Sequence, residues 1–311
     1  MFRKQLLLFI VTLIAASGLL RAQSPTGGTS FLDIISAQQE LGFTISQNFE
    51  YAFASDLQEN YNGDLGAARY TTGIDYATNW NRGFWRAGVS YEYNDWQWGG
   101  PEYFGDTTEI NFNTIFGQRF LDSDWGLVAV LGASLGAENN GGNFGRGGSY
   151  RAGLALTYYW GDWNSFSFGA MAIGQEESDM YVLPLPILNW QITDRLNLRT
   201  FNGFTLSYDV MGDNSTSVDL TSEYESDLFR LKTRPSNPLV TGTFTSTPTV
   251  EKEAVVVATG ITHRFTEMFY IRGYVEGIVY RKFEFRENHS TFRTIKTDPT
   301  IALGFQGGIN F

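Results

Sequence analysis

Cysteine is absent from the 311-residue chain, and histidine occurs only twice. The first absence excludes a disulfide framework and a thiolate metal site. The second leaves His263 and His289 as the sole imidazoles for a Ser–His dyad or a zinc centre. Basic residues are also scarce, with 22 Lys and Arg against 33 Asp and Glu, a formal charge of −11. An acidic chain of this kind is a poor partner for nucleic acid. Past the first 22 residues no stretch approaches the roughly 20 apolar residues of a membrane helix. The glycine-rich run GGNFGRGG at 141–148 is followed by no helix, so it offers no phosphate cradle. Only 18% of residues are charged, which is unlike an ordinary soluble secreted enzyme.

Aromatic residues and glycine are plentiful: 25 Phe, 16 Tyr, 8 Trp and 34 Gly. The chain opens with Arg3 and Lys4, continues with LLLFIVTLIAA, and reaches small and polar residues at Gly18–Ala22. This order is that of a secretory signal peptide, with cleavage near Ala22. An N-terminal anchor helix is the alternative; the run is too short to span and Gly18 interrupts it. Cleavage removes Arg3, Lys4 and Arg21, taking the formal charge from −11 to −14. Residues 23–40 then read as a periplasmic segment: a flexible tail, or a short plug anchored by Leu32, Ile34 and Ile35.

From residue 41 onward the chain falls into segments that alternate apolar and polar with period two. In YRAGLALTYYW at 150–160, Tyr150, Ala152, Leu154, Leu156, Tyr158 and Trp160 share one face; Arg151, Gly153, Ala155, Thr157 and Tyr159 share the other. Repeated about every ten to fifteen residues, this pattern points to an all-β, closed antiparallel transmembrane β-barrel. Twelve strands are expected, at 41–54, 68–78, 83–95, 107–120, 125–138, 148–160, 164–175, 180–191, 195–210, 252–266, 268–284 and 298–311. Short turns alternate with long, polar loops, which sets the periplasmic and external ends. By that parity the segment 211–251 holds an even number of spans. Zero gives twelve strands and a long external loop; two give fourteen, with LVTGTFTSTPT at 239–249 too Thr-rich to face lipid. Twelve is the expectation. Pro184 and Pro186 are a difficulty, because proline removes ladder donors and belongs at an edge or a bulge.

Trp80, Trp85, Trp125, Trp160, Trp163 and Trp190 gather near the short turns, the placement of an interfacial aromatic girdle. Aromatic residues of a soluble sandwich core are the alternative reading. The face opposite the apolar one holds Glu50, Arg69, Asp75, Arg86, Glu92, Glu109, Arg119, Glu138, Arg151, Arg199, Asp209, Arg264, Arg272 and Glu276. All its cations are Arg. Two readings stay open: Arg–carboxylate ladders that brace the barrel, or a narrow channel for a small polar solute. Acidic clusters at Glu176–Asp179 and at Asp213–Asp227 match no calcium-loop spacing. Neither a metal nor another cofactor is expected.

Two resemblances complete the reading. IALGFQGGINF at 301–311, ending on Phe311, resembles the C-terminal signal that bacterial outer-membrane proteins present to the barrel-assembly machinery. The turns TNWNRG, LDSDW, WGDWN, ITDRL and HRFTEMF, each followed by an alternating strand, resemble uncharacterised twelve-stranded outer-membrane barrels related to those near phenol-degradation genes. The resemblance implies a Gram-negative outer membrane, with its lipid and lipopolysaccharide as surroundings. It carries no catalytic residue to any position. The functional expectation is a passive channel. Alternatives are a non-conducting surface barrel whose loops bind a partner or stabilise the envelope, and, third, a lipid-acting enzyme using His263 or His289.

Overall fold

The computed structural model describes residues 41–311, apart from 59–60, 140–146, 161–163, 177, 202, 233–247 and 288. The expected signal peptide, the segment 23–40 and Trp163 lie outside the described residues.

The described residues form fifteen strand segments, sequential neighbours antiparallel: β1 (Gly42–Asp56), β2 (Asp64–Trp80), β3 (Gly83–Trp98), β4 (Thr107–Arg119), β5 (Trp125–Glu138), β6 (Gly148–Trp160), β7 (Asn164–Gln175), β8 (Ser178–Thr193), β9 (Leu196–Thr200), β10 (Gly203–Asp209), β11 (Thr216–Arg230), β12 (Thr249–Arg264), β13 (Phe269–Glu287), β14 (Ser290–Thr297) and β15 (Thr300–Asn310). β14 and β15 run one after the other along β13, so the fifteen segments make fourteen staves. β1 pairs with β15 from Thr44↔Asn310 to Ala52↔Ala302 and closes the barrel. The backbones of Phe43 and Phe311 exchange hydrogen bonds of 3.2 and 2.8 Å. A terminal strand is therefore fully paired on both sides, and the C-terminus has no free edge to fray.

Outward rows are apolar: Phe43, Ile45 and Phe49 on β1, Phe112 and Phe116 on β4, Leu154 and Leu156 on β6, Ile301, Leu303 and Phe305 on β15 are all exposed. A continuous apolar belt of this size is suited to acyl chains, not to water.

The expected count of twelve is corrected to fourteen, the alternative count, which the described residues reach on their own; 239–247 of the alternative strand lies outside them. The stretch 195–210 is not one span. It is a short hairpin, β9 and β10, paired from Phe204↔Thr200 to Tyr208↔Leu196. The segment 216–230, placed by sequence in an external loop, is the wall strand β11, paired to β10 and β12. The hairpin turns at Gly203, whose φ of +154° suits glycine and whose hypothetical Cβ would lie 1.9 Å from the Ser222 carbonyl oxygen. Gly203→Val is thus expected to lower stability by at least ~1–3 kcal/mol through strain alone. A lower urea midpoint, followed by the heat-modifiable gel shift of the folded barrel, would register it.

Candidate functional site: a closed, two-sided bore

The strand register places inward residues of β1, β2, β11, β12 and β13 at one level. Arg69 Nη2 meets Glu50 Oε2 at 2.7 Å and Arg69 Nη1 meets Glu225 Oε1 at 3.3 Å. Lys252 Nζ joins Glu225 Oε2 at 3.0 Å and Asp227 Oδ2 at 2.8 Å. The Tyr274 hydroxyl donates to Glu50 at 2.9 Å. Glu92 and Glu276 lie within electrostatic reach of Arg69, and Glu109 within that of Lys252. The result is a buried charged layer across the bore, with more carboxylates than cations. A residual cavity of about 30 Å³ remains in it, lined by Glu50, Arg69, Glu225, Lys252 and Glu276 among others. That is room for one or two waters.

The layer is completed by an unusual path of β11. Beyond Glu223 this strand leaves β10, turns into the bore and reaches β5, six staves away, where Arg230 pairs with Ala137 in parallel. Both of its faces are buried there: Glu225, Asp227 and Phe229 on one, Ser226 and Leu228 on the other. Above it sits an aromatic cap. Phe104, 1% exposed, has ring centroids of Trp98, Phe229, Phe283 and Trp96 at 5.1, 5.1, 5.4 and 5.6 Å. Glu138 pins the cap, accepting from the Gly105 and Lys232 amides at 2.6 Å each. Burial also pushes the phenol of Tyr103, in the β3–β4 loop, up. Inward residues are half-buried near the short turns, as at Thr44, Asn48, Asp75 and Arg272, and fully buried towards the long loops, as at Ala52, Leu65, Phe283 and Phe285. Among the described residues, inward side chains thus become more buried from the short-turn end to the long-loop end.

The opposite wall differs in kind. Ile115, Val128, Val130, Ala155, Met171, Ile173, Leu185 and Ile187, on β4 to β8, form an inward apolar cluster joined by Phe84, Tyr181, Leu183 and Phe201. The period-two reading, which assigned apolar side chains to lipid, missed this surface. A signal existed: WGLVAVLGA at 125–133 is apolar on both faces, as strands buried on both sides are.

The expected lumen residues divide by level. Glu50, Glu92, Glu109, Glu138, Arg151, Arg199 and Glu276 are buried. Asp75, Arg86, Arg264 and Arg272 are half-buried, and Arg272 pairs with Asp219 at 2.6 Å. Arg151 donates to Asn113. Arg119 binds Asp124 and the Ser123 carbonyl in a short turn. Asp209 accepts from the Gly212 and Asn214 amides, bracing the β10–β11 turn. Lys252, Glu225, Asp227 and Asp219 were absent from the expectation, and the rule that only Arg supplies the interior cations is corrected by Lys252. The acidic run assigned to a solvated loop is likewise corrected: its carboxylates hold Arg69, Lys252 and Arg272 inside the barrel.

At the short-turn end Trp80, Trp85 and Trp125 are exposed, and Trp160 and Trp190 are half-buried. The Trp80 and Trp85 indole N–H groups donate to Gln118 and Thr114 at 2.9 and 2.8 Å. His263 hydrogen-bonds Thr216 at 2.9 Å and stands edge-on to Phe265, 4.6 Å away. His289 occupies a positive-φ position in the tight β13–β14 turn. Glu251, Glu253 and Glu284 lie close enough to suggest a cation site. Arg286 and Lys282 already occupy it with contacts of 2.6 to 2.9 Å.

No protein-family model and no curated protein matches the chain. Among solved structures, the COG4313 outer membrane channel from Pseudomonas putida F1 is similar at 10% identity, over 88% of this chain and 98% of that one, with a TM-score of 0.50. The P. putida toluene transporter TodX is similar at 9% identity, over 90% and 92%, with a TM-score of 0.40. A Pseudomonas aeruginosa FadL homologue is similar at 9%, over 86% and 89%, with a TM-score of 0.36. At these identities the likeness concerns fold, that of a bacterial outer-membrane β-barrel.

Proposed function

We propose that the protein is a gated passive channel of the Gram-negative outer membrane, inserted through its C-terminal strand by the barrel-assembly machinery. Small polar solutes pass along the charged wall when the inward half of β11 withdraws. The observation that carries this reading is the interior course of β11. A strand needed only to brace the wall would stay in it; this one crosses the bore and holds its cations and carboxylates there. The excess of carboxylates around Arg69 and Lys252 favours cations over anions in the open state. The short turns face the periplasm and the capped end faces outward.

The purified barrel in planar bilayers tests the reading. Discrete, infrequent conductance steps with a cation-selective reversal potential are expected. The burial of the described inward residues at the capped end favours a second reading, a non-conducting surface barrel. Bilayers that stay silent with correctly folded protein would select that one.

A further inference from the structure

The charged layer holds an imbalance that its own side chains do not remove. Six carboxylates, Glu50, Glu92, Glu109, Glu225, Asp227 and Glu276, are buried there. Among the described residues, the cations that face them are Arg69, Lys252 and Arg281. Arg151, further round the wall, is offset first by Glu223. Negative charge is therefore left in excess. Buried charge without a counter-charge is costly, so the closed layer favours a further cation.

One carboxylate stands apart from the rest. Glu225 and Asp227 hold Lys252, and Glu50 holds Arg69. Glu276, only 6% exposed, makes no hydrogen bond and no ion pair among the described residues. It borders the cavity of about 30 Å³ in the layer, as do Glu50 and Asn94. Glu50 uses Oε2 for both Arg69 and Tyr274, which leaves Oε1. Asn94 donates from Nδ2 to Glu92 at 2.7 Å. That bond fixes the orientation of the amide and leaves Oδ1 as an acceptor. Neither oxygen accepts a hydrogen bond among the described residues.

The remaining walls do little to satisfy these acceptors. Ala52, Ala67, Val256 and Ile278 carry no donor there. Arg281 is committed to Ser55, Thr297 and the Leu65 carbonyl. Lys252 has spent two of its three N–H groups on Glu225 and Asp227. A pocket of oxygen acceptors under negative potential suits a small hard cation. Calcium takes about six to eight oxygens and magnesium keeps several waters, more than this space holds. Three cationic side chains on the rim also oppose a double charge. A single charge meets both limits.

We propose that Glu276, Glu50 and Asn94 bind one small monovalent metal cation of the sodium class, and that this ion locks the closed bore. Glu225, from the inward half of β11, is part of the cavity wall. The cavity therefore exists only while β11 lies across the bore. An ion that binds the closed state alone shifts the population towards it. The lock rests on the gated-channel reading, whereas the binding site does not.

Urea unfolding of the purified barrel in nonionic micelles, in sodium chloride and in choline chloride of equal concentration, tests the site. Choline is too large for the cavity and controls for ionic strength. Sodium should raise the midpoint in a saturable way relative to choline. Glu276→Gln keeps the size of the side chain and removes its charge. In choline E276Q should be at least as stable as the wild type, and sodium should add nothing. Equal midpoints in the two salts, as for a cavity that holds only water, overturn the proposal. So does a sodium effect that survives in E276Q. If E276Q fails to fold, the sodium NMR line decides: broadening by the wild-type protein no greater than by protein-free micelles overturns the site. In bilayers, with choline making up the salt, opening frequency should fall about tenfold at roughly ten times the sodium Kd. A conducting, sodium-stabilised barrel whose openings ignore sodium overturns the lock. Protein that is silent in bilayers yet stabilised by sodium would refute the channel alone, whereas conducting protein with no sodium effect on stability would refute the site alone.

Discussion

Replacing Lys252 with methionine will destabilise the closed barrel by about 3–5 kcal/mol, the usual cost of removing one partner from a buried ion pair. Lys252 Nζ is bound to Glu225 at 3.0 Å and to Asp227 at 2.8 Å, and both carboxylates are buried. Without the ammonium, one of them has no cation left: Arg69 reaches Glu225 but is not paired with Asp227. The strain falls on β11, because both carboxylates sit on its inward half. K252M should therefore unfold at lower urea and, in bilayers, open far more often than the wild type. The triple variant K252M with Glu225→Gln and Asp227→Asn should recover most of the stability, since replacing a whole buried ionic group costs much less than breaking it. A triple variant as unstable as K252M alone would show that Lys252 acts through packing of its stem and not through its charge.

That layer was half legible in the sequence. Glu50, Arg69, Glu92, Glu109 and Glu276 follow from strict alternation on strands that also carry a clean lipid face. β11 has no such face over its outer half. In DLTSEYESDLFRLK, Glu225 and Asp227 alternate with Tyr224 and Ser226, and neither set could meet acyl chains. Judged as a lipid-facing strand the segment fails, and with LVTGTFTSTPT at 239–249 too Thr-rich to be its return strand, parity places it in a loop. The physical fact behind the failure is that this half leaves the wall, and both of its faces are buried inside the barrel. Lys252 was lost with it, because its partners had been placed in a loop. Parity then produced the wrong count. It presumed that every strand crosses fully, whereas β9 and β10 go halfway and return. The signal for that turn was present in Asn202-Gly203, the commonest dipeptide of tight hairpins.

Closure of the barrel was legible for a firmer reason. Outward rows such as Phe43, Ile45 and Phe49, or Ile301, Leu303 and Phe305, obey one solvent, the bilayer, and one period. The interior obeys no single rule. Its charged layer is centred on β1–β3 and β11–β13, while an apolar cluster lines β4–β8, so that inward residues of β5 and β7 such as Val128, Val130 and Met171 look like those facing lipid. Alternation separates two faces only when their surroundings differ. Where both are apolar, as at Val128 and Val130, it has nothing to report.

Phe104→Ala is the other substitution with a large expected effect. The ring is enclosed by Trp96, Trp98, Phe229 and Phe283, all with centroids within 5.6 Å. Truncating a buried Phe costs about 3–5 kcal/mol. Here the loss is not shared evenly between open and closed channels. Phe229 belongs to the inward half of β11, so its contact with Phe104 exists only while β11 lies across the bore. If only ~1.4 kcal/mol of the loss is confined to the closed state, the ratio of open to closed channels rises tenfold. Phe112→Ala supplies the comparison, because that ring projects outward from β4 and makes no cap contact. Single-channel records should show the opening frequency raised about tenfold or more in Phe104→Ala and unchanged in Phe112→Ala. Equal opening frequencies in the two variants would mean that the cap does not hold the gate, leaving the Lys252 layer to close the bore alone.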